Sequence, residues 1–228
     1  MTTNAIPVIT IDGPGGVGKG TLMLRLAQYL GWHTLDSGAL YRVLAFATQR
    51  HGISITDEIS LAKLAYDLAV EFVATPDLSD TQIFLEKQNV STELRTETCA
   101  AQASQLAVFP SIRQALLMRQ RAFRQPPGLV ADGRDMGTVV FPEASCKIFL
   151  TASVEERAQR RYKQLKGKEM NVNISALIED IRKRDERDLT RSVAPLIAAT
   201  DAWIIDTTTL SIEEVIARVL QQVLISTH

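Results

Sequence analysis

The residues best suited to chemistry lie near the start of the chain, in Val8-Ile9-Thr10-Ile11-Asp12-Gly13-Pro14-Gly15-Gly16-Val17-Gly18-Lys19-Gly20-Thr21. An apolar, β-branched run meets a glycine-rich loop, then a lysine, then helical spacing. That order builds a cradle for phosphates. Glycines let backbone N–H groups converge on an anion without Cβ clashes. The first turn of the following helix adds unpaired N–H groups and the positive end of its dipole. Lys19 brings a compact, mobile ammonium to the outer phosphates. The bland alternative is a glycine-rich surface turn, which the strand–loop–helix order disfavours.

The pattern Gly-x4-Gly-Lys-[Ser/Thr] is nearly met. Gly20 stands where a serine or threonine is usual, and Thr21 follows. The hydroxyl that would hold Mg²⁺ directly is therefore out of register. In this respect Gly-Lys-Gly-Thr resembles the loop of nucleoside monophosphate kinases, in which phosphates and water mainly hold the metal.

Three further groups of residues carry polar chemistry. Asp36-Ser37-Gly38-Ala39-Leu40-Tyr41-Arg42 follows a second short strand. Ser37 and Gly38 can open a helix with free N–H groups, and Arg42 lies about one turn further in, within reach of an anion there. Taken alone, the segment is equally an N-cap serine with a solvated arginine. Leu129-Val130-Ala131-Asp132-Gly133-Arg134-Asp135 is a buried strand ending in charge. Asp132 is placed to orient a water on Mg²⁺; the alternative is a turn carrying an internal ion pair. The last group is basic. Arg157 and Arg161 share a helix face at i, i+4. Gly167-Lys168 breaks that helix and offers a hinge for a closing lid, with Asp185, Arg187, Asp188 and Arg191 beyond it. Glu156/Arg160, Glu179/Lys183 and Asp180/Arg184 have ordinary surface pairing and receive no role. Arg157, Arg161, Arg187 and Arg191 remain candidates for clamping phosphates.

Arginine dominates the basic residues: 17 of 25, with seven between Arg157 and Arg191. Its planar fork suits phosphate oxygens, which a solubility face would not require. The remaining composition is that of a globular chain: 228 residues, 46% hydrophobic, net charge −1. Such a balance argues against a general nucleic-acid binder. No run of about 18 apolar residues suggests a membrane span, and no basic-then-apolar leader opens the sequence. A cytoplasmic protein is expected. Cys99 and Cys146 are far apart and read as free thiols. No metal-ligand spacing stands out, so no metal site built from protein side chains is expected.

The elements that must position these residues follow from spacing. Strands are expected at Val8–Asp12, His33–Asp36, Leu129–Asp132, Cys146–Leu150 and Ala202–Asp206. Helices are expected at Lys19–Leu30 (stopped by Gly31), Gly38–Arg50, Leu61–Ala69, Thr96–Val108, Ser111–Arg124, Ser153–Leu165, Asn173–Asp188 and Ser211–Ile225. Pro110 splits the fourth from the fifth. Val70–Val73, Gln82–Glu86 and Asn89–Val90, separated by Thr75-Pro76-Asp77 and Lys87-Gln88, are too close together for intervening helices and form a small antiparallel sheet. The expected class is α/β, a P-loop-type parallel sheet of about five strands flanked by helices. One domain spans 1–228, with an inserted subdomain at 66–108 and a basic helical lid at 157–188.

Together these motifs resemble the bacterial cytidylate (CMP/dCMP) kinases over nearly the whole chain. The carriers are the loop 13–21, Asp36 to Arg42, Ala131-Asp132-Gly133-Arg134-Asp135-Met136-Gly137-Thr138, and Arg184-Asp185-Glu186-Arg187-Asp188. The resemblance implies transfer of the γ-phosphoryl of ATP to CMP or dCMP, and a monophosphate-binding role for the inserted subdomain at 66–108. It implies that Gly13, Pro14, Gly15, Gly16, Val17, Gly18, Lys19, Gly20 and Thr21 hold the ATP phosphates, with Arg157 and Arg161 approaching from the lid. Ser37, Arg42, Arg134 and Arg191 would hold the CMP phosphate. Ser104, Arg113 and Asp135 would face cytosine, Tyr41 would line the same pocket, and Asp188 would meet the sugar. Lys19, Asp132, Arg134 and Arg191 would be catalytic. ATP, Mg²⁺ and CMP or dCMP are the implied ligands, and a monomer the expected state. A regulatory GTPase is the main rival outside the kinases, but Asn-Lys-x-Asp is absent. A nucleotide-gated binding module, and kinases for UMP, dTMP or AMP, are the others.

Overall fold

The structure, a computed structural model, describes residues 6–75, 81–166 and 173–226. Its centre is a five-stranded parallel sheet built from β1 (Val8–Asp12), β2 (His33–Asp36), β6 (Leu129–Gly133), β7 (Cys146–Thr151) and β8 (Trp203–Asp206), in the order β2-β6-β1-β7-β8. Every residue of β1 and β6 is buried. Strands covered on both faces have no need of a polar alternation, which is why these read as short apolar runs.

The two faces nevertheless divide by residue parity. Ile9, Ile11, Val130, Ile148 and Leu150 pack beneath α1 (Lys19–Leu30) and α8 (Ile212–Ser226). Val8, Leu129 and Ala131 face the other way, onto Leu40, Val140 and Phe141. Gly31 ends α1 in the left-handed conformation, with φ 67°, as the stop signal requires.

α2 (Ser37–Arg50) and α3 (Glu58–Tyr66) lead into the small sheet, whose strands β3 (Val70–Ala74), β4 (Thr81–Leu85) and β5 (Gln88–Asn89) pair antiparallel in that order. α4 (Glu97–Leu106) and α5 (Pro110–Ala122) share a core with α2, α3 and this sheet. The basic helices are α6 (Val154–Lys166) and α7 (Ile174–Thr190), which pack through Ala158, Leu165 and Leu177.

The departures from expectation have local causes. α3 begins at Glu58 rather than Leu61, because Asp57 caps it by accepting the Ser60 N–H at 3.1 Å. α2 begins one residue earlier than expected, at Ser37, capped by Asp36. The split at Pro110 is as expected, with Phe109 extended before it; Pro110 itself is the first residue of α5, where its missing N–H costs nothing. A 3₁₀ turn at Glu93–Arg95 and a π-type turn at Met136–Val140 have no periodic signal and were not anticipated. Ser211 and Glu214 form the expected capping box: Ser211 Oγ accepts the Glu214 N–H, and the Glu214 carboxylate accepts from the Ser211 N–H. Pro76 and Asp77, and the Gly167-Lys168 break, lie outside the described residues.

The carboxyl ends of β1, β2, β6 and β7 all point toward one rim, where ligands bind in open parallel sheets. Gly13 makes the first of these exits. Its φ is +144°, and a Cβ there would collide with the Leu150 carbonyl oxygen. Gly13→Ala should therefore cost about 2–3 kcal/mol, lowering Tm by roughly 5–10 °C in a chain of this size. Scanning calorimetry checks this; an unchanged Tm would contradict the packing.

Candidate active site

The phosphate loop runs from Gly13 to Gly18, between β1 and α1. Gly16 and Gly18 take φ values of +83° and +96°, which turn successive N–H groups inward. Val17 is buried in the core beneath, so its contribution to the rim is backbone alone. Lys19 folds back over the loop, with Nζ donating to the Pro14 carbonyl at 2.9 Å. Thr21 is exposed on the first turn of α1.

Charge around this loop is unbalanced. Burial, and then the Arg134 guanidinium, push Lys19 down to about 7, while Asp132 works in the opposite sense. Asp132 sits at the end of β6, its Oδ2 3.5 Å from where a Cβ on Gly20 would lie. Burial lifts the Asp132 carboxyl to about 7 against the pull of Lys19. Above the loop, Arg134 Nη2 and Arg184 Nη1 lie 3.6 and 3.8 Å from the Cβ position of Gly15. Burial and the neighbouring Arg134 lower Arg184 to about 10.

Arg184 corrects the sequence reading, which treated it as half of a surface pair with Asp180. It lies at i, i+4 with Asp188 and i, i+7 with Arg191, and that shared face turns toward the loop. Its Nε is buried without a hydrogen-bond partner, as is Arg191 Nη2. Orphaned guanidinium donors in a cationic rim suit an anionic ligand. Arg160 is also more than a surface pair. Besides Glu156 at 3.0 Å, it donates to the Thr207 carbonyl at 2.5 Å and fastens α6 to the segment after β8. Glu179 and Lys183 form the exposed pair expected of them, 3.5 Å apart.

The wall at β2 is organised by Asp36. It accepts the Ala39 N–H at 2.8 Å and pairs with Arg42 at 2.7 Å. The cap is therefore Asp36, not Ser37, and Arg42 is paired rather than solvated. Burial opposes charge on Asp36, but Arg42, the Ala39 N–H and Lys19 together outweigh it and hold the carboxyl below its ordinary range. Ser37 is buried at the head of α2. A cavity of about 130 Å³ touches Gly20, Asp36 and Arg42 and runs toward Ile83 and Ser91 of the small-sheet region.

Arg113 and Asp135 form a nearly buried ion pair, and Arg113 also donates to the Ala107 carbonyl at 3.1 Å. The Arg113 guanidinium lies 5.9 Å over the Tyr41 ring. Ser104 is buried and accepts from Arg187 at 2.9 Å. Asp188 accepts from Arg134 at 2.8 Å. Arg191 donates Nε to the Ala194 carbonyl at 2.5 Å. Arg157 is 3% exposed; it grips Asp185 with both Nη atoms and donates to the Gly15 carbonyl at 3.2 Å. Arg161 is turned elsewhere, onto Glu97 and the Arg95 carbonyl, so the structure does not bring it to the loop.

The cytidylate kinase family model matches residues 9–224. The chain belongs to the cytidylate kinase family. The cytidylate kinase of Pseudomonas fluorescens strain Pf-5 is 58% identical over 219 residues, covering 96% of each chain. That of Stutzerimonas stutzeri strain A1501 is 59% identical over 218 residues, covering 96% of this chain and 95% of its own. Fold and family thus agree with the resemblance read from the motifs. Among the described residues, no helix is long and apolar enough to cross a membrane, and no group of three or more His, Cys, Asp or Glu side chains converges as metal ligands. Cys99 is buried, Cys146 is half-buried and both are free.

Sequence reasoning passed over Asp12, Asp36, Asp185 and Arg184 as site residues. Asp12 had a signal of its own: a carboxylate closing a strand that is otherwise Val-Ile-Thr-Ile. It accepts the N–H groups of Met136 and Gly137, each at 2.8 Å. Burial pushes it up to about 6 despite those bonds. A carboxyl that binds its proton more tightly when folded stabilises the fold most at low pH, and that contribution is lost as pH rises from about 4 through about 6. The unfolding free energy of the wild type, relative to Asp12→Asn, should fall by roughly 3 kcal/mol across that window. Urea titrations at a series of pH values read this difference; a flat difference would contradict the raised value.

Proposed function

We propose that this chain is an ATP-dependent (d)CMP kinase, a phosphotransferase of pyrimidine nucleotide metabolism. It moves the γ-phosphoryl group of ATP to CMP or dCMP and releases CDP or dCDP with ADP. The family match over residues 9–224 carries the activity; the geometry of the rim supports the division of roles.

In this reading residues 13–21 bind the ATP phosphates, and Lys19 reaches the group in transit. Ser37, Arg42, Arg134 and Arg191 hold the CMP phosphate. Phosphoryl transfer asks the protein for positioning and charge stabilisation rather than a covalent intermediate. Cations on several sides of the transferring group supply that, and the orphaned N–H groups of Arg184 and Arg191 support such a role. A divalent ion fits beside Asp132, whose buried carboxyl would gain from a cation. Mg²⁺ would be held by phosphate oxygens and by water oriented by Asp132, and would supply further charge neutralisation. The α6–α7 pair covers the loop through Arg157, whose contacts with Gly15 and Asp185 join lid and loop. We assign the lid to 157–188 and the monophosphate-binding subdomain to 66–108. Water excluded there cannot accept the phosphoryl group. Arg161, bound to Glu97, would reach ATP only by exchanging partners.

Ser104, Arg113 and Asp135 face cytosine, Tyr41 backs Arg113, and Asp188 meets the sugar hydroxyls. Cytosine offers an N4 amino donor beside N3 and O2 acceptors, which a carboxylate and an arginine complement. Uracil reverses the first of these and leaves buried groups mismatched. A monomer working on the small-molecule nucleotide pool of the cytoplasm, with no nucleic-acid or membrane partner, completes the proposal.

A panel of nucleoside monophosphates incubated with ATP and Mg²⁺, resolved by chromatography, should yield CDP and dCDP; their absence overturns the assignment. Lys19→Ala should lower turnover at least about tenfold, or 1.4 kcal/mol of barrier, and near wild-type steady-state rates would remove Lys19 from the mechanism. Asp135→Asn should reduce the preference for CMP over UMP at least about tenfold in kcat/KM while leaving KM for ATP nearly unchanged.

A further inference from the structure

Asp12 has no place in the chemistry above, yet it is among the most committed side chains of the rim. It is 5% exposed and closes β1, one residue before the phosphate loop. Its two carboxylate oxygens are spent on two consecutive backbone donors, Met136 N–H and Gly137 N–H, each at 2.8 Å and more than 120 residues away in the chain. Those donors open the π-type turn whose first flank is Asp135, the residue paired with Arg113. Asp135 itself has φ −149° and ψ 24°, and its carbonyl accepts from Val139 and Val140. Close approach is built into the other side of this link. A Cβ on Gly137 would come within 2.9 Å of Thr10 Oγ1, so only glycine lets the turn settle against β1.

We infer that Asp12 is a positioning residue that aims the Asp135 carboxylate at the pyrimidine base, tying the base pocket to the strand that carries the phosphate loop. A carboxylate accepting two adjacent N–H groups fixes the plane of the intervening peptide. The Asp135 backbone, immediately upstream, then has little freedom, and its side chain leaves the strand in one direction. Loosening that turn by a fraction of an ångström would spoil a donor–acceptor match with the base, whereas the loop glycines and Lys19 would keep their own contacts. The inference rests on the reading of Asp135 as the group that faces cytosine.

Steady-state kinetics on the full chain test it, with CMP, UMP and ATP each varied. Asp12→Asn keeps the shape but offers an amide N–H₂ where one backbone donor needs an acceptor. The expected result is a rise of at least about tenfold in KM for CMP and a comparable fall in the CMP-over-UMP ratio of kcat/KM, with KM for ATP changed less than about threefold. A loss of stability alone would lower the active fraction and move neither ratio. Gly137→Ala attacks the same link from its other end and leaves the carboxylate intact; it decides the matter if Asp12→Asn does not fold, and the same shifts are expected of it. Asp135→Asn serves as the control. If it alters base preference while Asp12→Asn and Gly137→Ala leave KM for CMP and the ratio within twofold of wild type, the positioning role is overturned. If Asp135→Asn itself leaves the preference unchanged, the base-facing reading falls first, and this inference with it.

Discussion

The site is governed by positive charge held out of water without enough negative charge to match it. Lys19, Arg42, Arg134, Arg184 and Arg191 gather on a rim whose anions include Asp36, Asp132 and Asp188, and of these Asp36 is already paired with Arg42 and Asp188 with Arg134. The consequence is visible in the cations. The Lys19 ammonium is depressed to about 7 and Arg184 to about 10. Bringing several cations together in a poorly solvated place is unfavourable. In the proposed reading a phosphate chain removes that cost by supplying the missing charge and accepting the orphaned N–H groups. The binding energy of the nucleotides is in this sense prepared when the chain folds.

Preparation on this scale needs a rigid frame, and the parallel sheet provides it. β1 lies between β6 and β7 with every residue buried, so the phosphate loop, Asp132 and the turn to Arg157 leave adjacent strands at one level. The register aligns Asp12 with Gly133 and with Phe149. The small sheet and α2 to α5 have a core of their own, joined to the frame by Leu40, Val70, Phe72 and Phe123, which pack into the cluster of Val8, Leu129 and Ala131, and by Asp36, Arg42 and the Arg113–Asp135 pair. The proposed base pocket thus takes Tyr41, Ser104 and Arg113 from one packing unit and Asp135 from the turn after β6, on the frame that carries the phosphate loop.

Much of this was legible in the chain because the signals are local. Val8–Asp12, Lys19–Leu30 and His33–Asp36 were read to the residue, since buried strands, helical spacing and a glycine stop are properties of neighbours in sequence. The antiparallel sheet was legible from strand spacing alone. What failed needed knowledge of which helix face is covered. Arg184 satisfies an i, i+4 rule with Asp180 as well as with Asp188, and only packing shows that the second face is the buried one. Arg161 shares a face with Arg157 yet meets Glu97, a partner that α6 alone could not announce. Asp12 finds its donors beyond the reach of any short-range pattern.

The prevalence of arginine has a structural reason that charge alone does not give. Arg134 donates Nε to Asp188 and Nη1 to the Gly133 carbonyl, and still presents Nη2 toward Gly15. Arg157 holds Asp185 with both Nη atoms while Nη1 also reaches the Gly15 carbonyl and Nε the Ala152 carbonyl. Arg113 serves Asp135 and the Ala107 carbonyl at once. In each case a carboxylate or carbonyl fixes the plane of the guanidinium, and that plane sets where the remaining donors point. A lysine has three donors about one rotatable atom, so an ammonium anchored by a protein carboxylate has no fixed direction left to offer. Lys19 can be a lysine because the loop surrounds it, with Pro14 accepting from its Nζ. In the proposed reading its neighbours hold a protein partner and a ligand simultaneously, and that double task selects the five-donor fork over the point charge.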